Sequence, residues 1–401
     1  MQINIIQDDK SIKTYNLQEC CGNYHKNKLS AIVSPKTKLD TYKEIFFCEQ
    51  HDITAVCFDS SVKSIADRCR ALNITELTDD ACGMKFEDAK LLFFTSGTTS
   101  QPRGAIKSKK MIDPEVLAES KYLSKYDFDS FLVTVPLYHI YGYLFGYGAP
   151  KVMGKPIYTK ELFMPQNIID FAAQHKCVCI TTPVFIKAML KMDEKRDLSK
   201  SIFISSTGPL LPDEADAFFD KFGAEIVQIY GSTETGGAAY LERGAKLWQP
   251  IEQVSVSIDD ESRLQIASPY VSTEMFEDGI IKLSSPFTTS DIARVENGCF
   301  EILGRSFELL KIGGKRVSVL EIEAAIEAHP SITEAQVIPI RTDGLKDEKI
   351  EILVVCEMDE KELSKLVSKI LKELYSEIKI NAKCRKAKAL EKTFNGKKKR
   401  S

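Results

Sequence analysis

Short apolar runs alternate with stretches of helical spacing along this chain, and that alternation constrains its fold more than any other feature. "KLLFFTS" at 90–96 reads as a buried strand and "GAIKS" at 104–108 as the next. "NIIDFAAQHK" at 167–176 carries apolar residues at helical spacing, and "CVCITTP" after it reads as a strand. "SIFISST" at 201–207 is a further short strand. "PDEADAFFDKFG" at 212–223 opens on Pro and acids and closes on Gly223, the start and stop signals of a helix. "AEIVQIYGS" follows as a strand. Repeated helix-then-strand order predicts an α/β fold whose large domain layers mostly parallel sheets with helices.

Near residue 290 the pattern changes. "IARVENGCFEILG" sets Asn297-Gly298 between two alternating runs, a hairpin signal. "SVLEIEAAIEAHP" at 318–330 reads as a helix stopped by Pro330. "EAQVIPI" and "KIEILVVCEM" read as strands on either side of Asp343-Gly344, and "KELSKLVSKILKELYSEI" at 361–378 as an amphipathic helix. These elements predict a large domain over 1–304 and a small α+β domain over 305–401.

Charge and cysteine use exclude several classes. A net charge of -3 gives no global basic field for nucleic acid or an anionic membrane. The 11 cysteines include no C-x-x-C pair, which argues against a zinc site and a disulfide framework. The apolar run 131–149 is broken by Pro136, His139 and glycines, so no membrane insertion is expected. "MQINIIQDDK" lacks the basic and apolar regions of a signal peptide, and a cytoplasmic location is the expectation.

Four stretches carry chemistry. "TSGTTSQPRG" (95–104) combines a flexible glycine, hydroxyl donors and the forked cation Arg103, which suits a polyphosphate; a plain surface loop reads the same way. "YGSTETGG" (230–237) offers Tyr230 to stack on a base and Glu234 as an oxygen ligand for Mg²⁺, or is a Gly-rich turn with a solvated acid. Asp291 stands before a strand, where an acid can accept both ribose hydroxyls or cap the strand; Arg305 could join it or pair at the surface. Lys397 lies in "TFNGKKKR", a Gly-containing turn or a basic tail.

Together and in this order, the four stretches resemble the adenylate-forming superfamily of acyl- and aryl-CoA synthetases, peptide-synthetase adenylation domains and luciferases. "TSGTTSQPRG" is similar to its phosphate loop T-S-G-[ST]-T-G-x-P-K-G, "YGSTE" to Y-G-x-T-E, "SDIA…GR" to T-G-D followed by G-R, and "LEKTFNGKKKR" to P-[KR]-T-x-x-G-K. The resemblance runs from about residue 85 to the end. It implies that Thr95, Ser96, Gly97, Thr98, Thr99, Ser100, Arg103 and Gly104 hold the β- and γ-phosphates of ATP. Tyr230 would pack on adenine near Gly208, with Asp291 and Arg305 on the ribose. Thr233 would touch the α-phosphate, Glu234 would hold Mg²⁺, and Lys397 would bridge the attacking carboxylate and the ribose and α-phosphate oxygens. The implied reaction joins a carboxylic acid to AMP, releases pyrophosphate, and passes the acyl group to the thiol of CoA or of an acyl carrier protein's phosphopantetheine. Gly313 and Gly314 would leave a passage for the pantetheine arm.

The chain also departs from the pattern. Ser100 replaces a glycine, Arg103 a lysine, Ser290 the glycine of T-G-D, and Glu391 a proline. Phe307 stands at the usual hinge position and cannot reproduce an acid's hydrogen bonds. The phosphate loop begins early, so the region before it is expected to be shortened. "VPLYHIYG" puts His139 where amino-acid-activating relatives carry an aspartate for the substrate ammonium, which favours a fatty or aryl acid. His139, Ile229 and Gly237 are the expected acyl-pocket residues, with Ile229 limiting its depth. Two other readings stand beside the acid-thiol ligase: an amino-acid adenylating domain, and a ligand-binding member of the fold without turnover.

Overall fold

The computed structural model describes residues 1–19, 23–33, 37–95, 103–277, 279–305, 309–312, 315–340, 349–375, 380 and 382–390. By internal contacts the chain divides into two compact units. One comprises Met1–Ser257, Gln265–Thr288 and Val295–Glu301; the other comprises Ile258–Leu264, Thr289–Arg294 and Ile302–Ser401.

The first unit is built on two large sheets. One has nine strands in the order Gln249–Pro250, Gly236–Glu242, Glu225–Ser232, Ile202–Ser205, Cys177–Thr181, Ser130–Val133, Ile157–Thr159, Gln2–Ile6 and Ile12–Asn16. From Glu225–Ser232 to Gln2–Ile6 neighbouring strands run parallel. The other sheet has six strands, ordered Ile280–Lys282, Glu274–Phe276, Arg103–Ser108, Ala89–Thr95, Thr54–Cys57 and Ser30–Val33.

Both faces of the central parallel strands are buried, because each crossover returns through a helix. Helices Pro165–Gln174, Pro183–Leu190 and Pro212–Phe222 cover one face, each opening on a proline whose missing N–H costs nothing there. The last ends on Gly223 at φ +70, the left-handed stop that glycine adopts without strain. Alternation along the strands divides the core. Leu132, Cys177, Cys179 and Phe203 pack with these helices, whereas Phe131, Val133, Val178, Ile180 and Ile204 face the opposite core. Full burial of one such side chain contributes about 1.5–3 kcal/mol. Helix Lys109–Leu123 and residues Ile140–Met153 pack into that opposite core through Ile112, Val116, Tyr143, Phe145 and Tyr147. The predicted strands around 90–108 and 177–232 form, within a residue or two of their expected ends.

The second unit contains strand Ile332–Ile340 antiparallel to Lys349–Cys356, which runs parallel to Ala382–Lys386. Helix Val319–Glu327 is capped by the Ser318 hydroxyl and stops before Pro330, shorter than the sequence pattern predicts. Helix Glu360–Leu374 is capped by Asp359 and buries Leu363, Val367 and Leu371, one residue per turn. Asp343 and Gly344 lie outside the described residues. No helix among the described residues is long and apolar enough to cross a membrane.

Candidate active site

The segments that hold the predicted phosphate and metal residues belong to the first unit. Strand Ala89–Thr95 pairs with Arg103–Ser108, and Thr95 is the register partner of Arg103. Ser96, Gly97, Thr98, Thr99 and Ser100, between them in sequence, lie outside the described residues. Arg103 donates from Nε to Glu277 Oε1 at 3.1 Å and stays half exposed. Gly104 is tightly packed: a Cβ there would lie 2.9 Å from Leu92 Cδ1. The strand can therefore carry no side chain at this point without moving Leu92.

The second motif forms the hairpin from Glu225–Ser232 to Gly236–Glu242. Its turn closes on itself, because Thr235 Oγ1 accepts from the Ser232 N–H at 2.9 Å while Ser232 Oγ accepts from the Thr235 N–H at 3.2 Å. Thr233 and Glu234, between those residues, remain half-buried. Gly231 and Gly236 are forced by contact: a Cβ on Gly231 would meet the Gly236 carbonyl oxygen at 2.0 Å, and Gly236 adopts φ +73. Tyr230 is half-buried, with ring centroids 5.7 Å from Trp248 and 5.4 Å from Phe300; those two rings stack at 6.3 Å. The hairpin thus places one aromatic ring, the hydroxyls of Ser232 and Thr233 and one carboxylate within five consecutive residues.

Gly208 follows strand Ile202–Ser205 and is exposed, with only Pro183 Cγ, at 3.9 Å, near the position of a Cβ. Its segment is tied to the Tyr230 strand: Ser206 Oγ donates to the Ile229 carbonyl at 2.9 Å, and Gln228 Oε1 accepts from the Leu210 N–H at 3.3 Å. Ile229 is buried in the core that also contains Leu137 and Ile140, the near neighbours of His139. His139 is half-buried, and its ring lies 4.6 Å from that of Tyr138. Gly237 pairs with Gly231 across the hairpin.

Asp291 belongs to the second unit, where its N–H donates to Thr289 Oγ1 at 3.0 Å. Arg305 ends strand Cys299–Arg305. Gly313, Gly314, Phe307 and Lys397 lie outside the described residues.

Three charged residues beside the hairpin escaped the sequence reading. Lys107 is fully buried, and its Nζ donates to the carbonyls of Tyr270 at 2.6 Å and Glu234 at 3.0 Å. Glu115 is fully buried, and its Oε1 accepts from the Gly237 N–H at 2.6 Å. Burial pushes the Glu115 carboxyl upward, opposed by the Lys107 charge and the Gly237 N–H; burial likewise lowers the Lys107 ammonium. Glu119, one turn beyond Glu115, is pushed up by burial and by Glu115. "GAIKS" reads only as a strand, and charged side chains on strands and helices are ordinarily solvated, so nothing in the sequence singles these three out.

The turn residues suit a hydrated Mg²⁺, which takes oxygen ligands and retains several waters. Glu234 supplies a carboxylate and Thr233 a hydroxyl, both half-exposed. Among the described residues no group of three or more His, Cys, Asp or Glu could form an all-protein metal cage.

Comparison with known proteins gives a consistent picture. The family model described as AMP-binding enzyme matches residues 22–275, and that described as AMP-binding enzyme C-terminal domain matches residues 321–397. The chain is 24% identical over 299 residues to medium-chain fatty-acid–CoA ligase of Escherichia coli, covering 67% of this chain and 52% of the relative. It is 26% identical over 297 residues to sulfoacetate–CoA ligase of Cupriavidus necator, covering 67% and 57%. The matches thus span little more than half of these relatives' length. Among solved structures, o-succinylbenzoate CoA synthetase of Bacillus subtilis, in complex with the acyl-adenylate intermediate OSB-AMP, superposes with a TM-score of 0.76 at 18% identity, covering 94% of this chain and 88% of that one. ATP-bound MatB of Rhodopseudomonas palustris gives 0.72 at 20% identity, covering 93% and 87%. These likenesses establish the shared fold.

Proposed function

The chain belongs to the AMP-binding enzyme family, and from that premise we propose that it activates a carboxylic acid with ATP and Mg²⁺. The products are acyl-AMP and pyrophosphate, and the acyl group then passes to the thiol of CoA or of a carrier protein's phosphopantetheine. The observation that carries this reading is the Ser232–Thr235 turn, which holds Thr233 and Glu234 half-exposed three and four residues beyond Tyr230.

In this reading Tyr230 packs on adenine beside Gly208, and Asp291 and Arg305 take the ribose. The segment from Thr95 to Gly104, with Arg103, holds the β- and γ-phosphates. Thr233 donates to the α-phosphate and Glu234 ligates the metal. Mg²⁺, when bound, supplies positive charge to the phosphate oxygens. Lys397 places a further cation against the reacting carboxylate and the α-phosphate. Adenylation then needs no nucleophilic side chain, because positioning and charge stabilisation lower the barrier.

The acid is a fatty or aryl acid. An α-ammonium requires a buried counter-charge, and His139 supplies no carboxylate. His139, Ile229 and Gly237 line the acyl side, while Gly313 and Gly314 border the pantetheine passage. The functional division is at 304/305, with residues 305–401 presenting first Lys397 and then the glycine pair. The reaction belongs in the cytoplasm, where ATP and CoA are available.

The test is product analysis by mass spectrometry: the protein, ATP, Mg²⁺ and a panel of fatty, aryl and α-amino acids, with CoA or a phosphopantetheinylated carrier as acceptor. A thioester of a fatty or aryl acid is expected. Formation of an aminoacyl product alone would contradict the assigned acid class, and absence of any adenylate or thioester would contradict the activity.

A further inference from the structure

We propose that Lys107 and Glu115 are positioning residues that clamp the 234–237 turn from beneath and so set the direction in which Glu234 leaves the backbone. The proposal rests on the reading of Glu234 as the metal ligand.

The two residues come from consecutive elements. Lys107 lies on strand Arg103–Ser108, four residues beyond Arg103, and Glu115 lies on the helix Lys109–Leu123 that follows directly. Each grips one end of the same short segment. Lys107 Nζ donates to the Glu234 carbonyl at 3.0 Å, and Glu115 Oε1 accepts from the Gly237 N–H at 2.6 Å. The Ser272 N–H also donates to the Glu234 carbonyl, at 2.8 Å, and Lys107 reaches the Tyr270 carbonyl at 2.6 Å. The lysine therefore joins the turn to the segment beside it.

The fit leaves no space for slippage. A Cβ on Gly236 would lie 1.9 Å from Glu115 Oε1, and one on Gly237 would lie 2.2 Å from Glu119 Oε1. Both glycines rest against the carboxylates of one helix.

Fold stability alone does not account for the arrangement. Buried charged groups are often no better for stability than apolar residues of similar volume. Here the donors and acceptors are directional, and they end on the backbone of the turn that bears the proposed metal ligand. A carboxylate's geometry at a metal is set by groups that hold it from behind, and losing such a group typically weakens metal binding by about 10–100-fold.

The test uses the full chain as wild type, Lys107→Met, Glu115→Met, the double variant and Glu234→Gln. Two quantities are read: amide hydrogen exchange of residues 232–237 in the ligand-free protein, and the Mg²⁺ concentration giving half-maximal acid-dependent pyrophosphate–ATP exchange. Either single variant leaves a lone buried charge and can fail to fold; the double variant removes both charges and keeps the volume, so it decides. The double variant should exchange amides in 232–237 at least about tenfold faster, with helix Pro165–Gln174 unchanged, and its Mg²⁺ half-saturation should rise by about 10–100-fold. A folded double variant with wild-type protection of the turn, or with wild-type Mg²⁺ half-saturation while Glu234→Gln has lost activity, overturns the clamp. A Glu234→Gln chain that exchanges pyrophosphate like wild type overturns the metal-site reading itself, and the positioning proposal with it.

Discussion

Gly231 lies so close to Gly236 that a methyl group on it would sit 2.0 Å from the Gly236 carbonyl oxygen. The two strands of the hairpin carrying Tyr230, Thr233 and Glu234 can approach this closely only with glycine there. Gly231→Ala should therefore destabilise the protein by about 1–3 kcal/mol, the usual cost of overpacking, and displace the turn. Gly208→Ala, where the nearest atom stands at 3.9 Å, should leave the melting temperature within about a degree of wild type. Thermal unfolding of both variants checks the contrast. Equal melting temperatures would show that the hairpin is looser than described.

Tyr230 and the sole tryptophan, Trp248, lie with ring centroids 5.7 Å apart. If Tyr230 packs on adenine, ATP binding should change Trp248 fluorescence in a saturable way. Tyr230→Ala should abolish that change and cost about 0.5–1.5 kcal/mol for each lost aromatic contact, while Tyr230→Phe should keep it. A fluorescence titration with ATP and with a nucleotide lacking the adenine ring separates base stacking from phosphate binding.

Glu49 ties the N-terminal third of the chain to the rest of the first unit. It accepts from Tyr147 at 2.7 Å and pairs with Lys90 at 3.0 Å and Lys151 at 2.5 Å. Burial alone would raise its carboxyl. The Lys90 charge and the hydrogen bonds from Lys151, Tyr147 and Lys90 outweigh burial and hold it at about 2. A carboxylate with a depressed folded-state pKa adds stability above its unfolded value near 4.3, and that stability is lost as pH falls toward 2. Glu49→Gln should thus be less stable than wild type at pH 7, by roughly 1–2 kcal/mol after allowing for solvent screening, and the gap should narrow between about pH 4.5 and pH 2. Denaturant titrations across that range are the check, and a gap independent of pH would contradict the assigned charge state.

These relationships differ in how far the sequence announces them. Helix Pro212–Phe222 carries its own start in Pro212, Asp213 and Glu214 and its own stop in Gly223, so a local pattern suffices. Strand Gln2–Ile6 does not, because its place beside Ile157–Thr159 depends on a partner more than 150 residues away. The Y-G-S-T-E run is legible because its chemistry is confined to consecutive residues. Lys107 and Glu115 are illegible because their burial is created by a hairpin more than 100 residues later. Charged residues on a strand and a helix are ordinarily solvated, and only tertiary contacts reverse that expectation here.

His139 offers a test of substrate class. His139→Ala should alter acid selectivity or affinity more than ATP affinity, since its ring sits against Tyr138 near the core holding Ile229. Steady-state kinetics with varied acid and varied ATP resolves the two. A change confined to the KM for ATP would move His139 out of the acyl pocket.

The central claim is adenylation of an acid by a site that includes Glu234, and acid-dependent exchange of labelled pyrophosphate into ATP measures it most directly. Wild type should exchange label only when a suitable fatty or aryl acid and Mg²⁺ are both present. Glu234→Gln should lose most of that exchange with its fold intact, and Lys397→Ala should lose about 10²–10³-fold, the scale for one preorganised stabilising group. Lys397→Ala should still convert preformed acyl-AMP to thioester, whereas a bulky residue in place of Gly314 should spare exchange and block thioester formation. Exchange that does not depend on acid, or a Glu234→Gln chain that exchanges like wild type, would contradict the account.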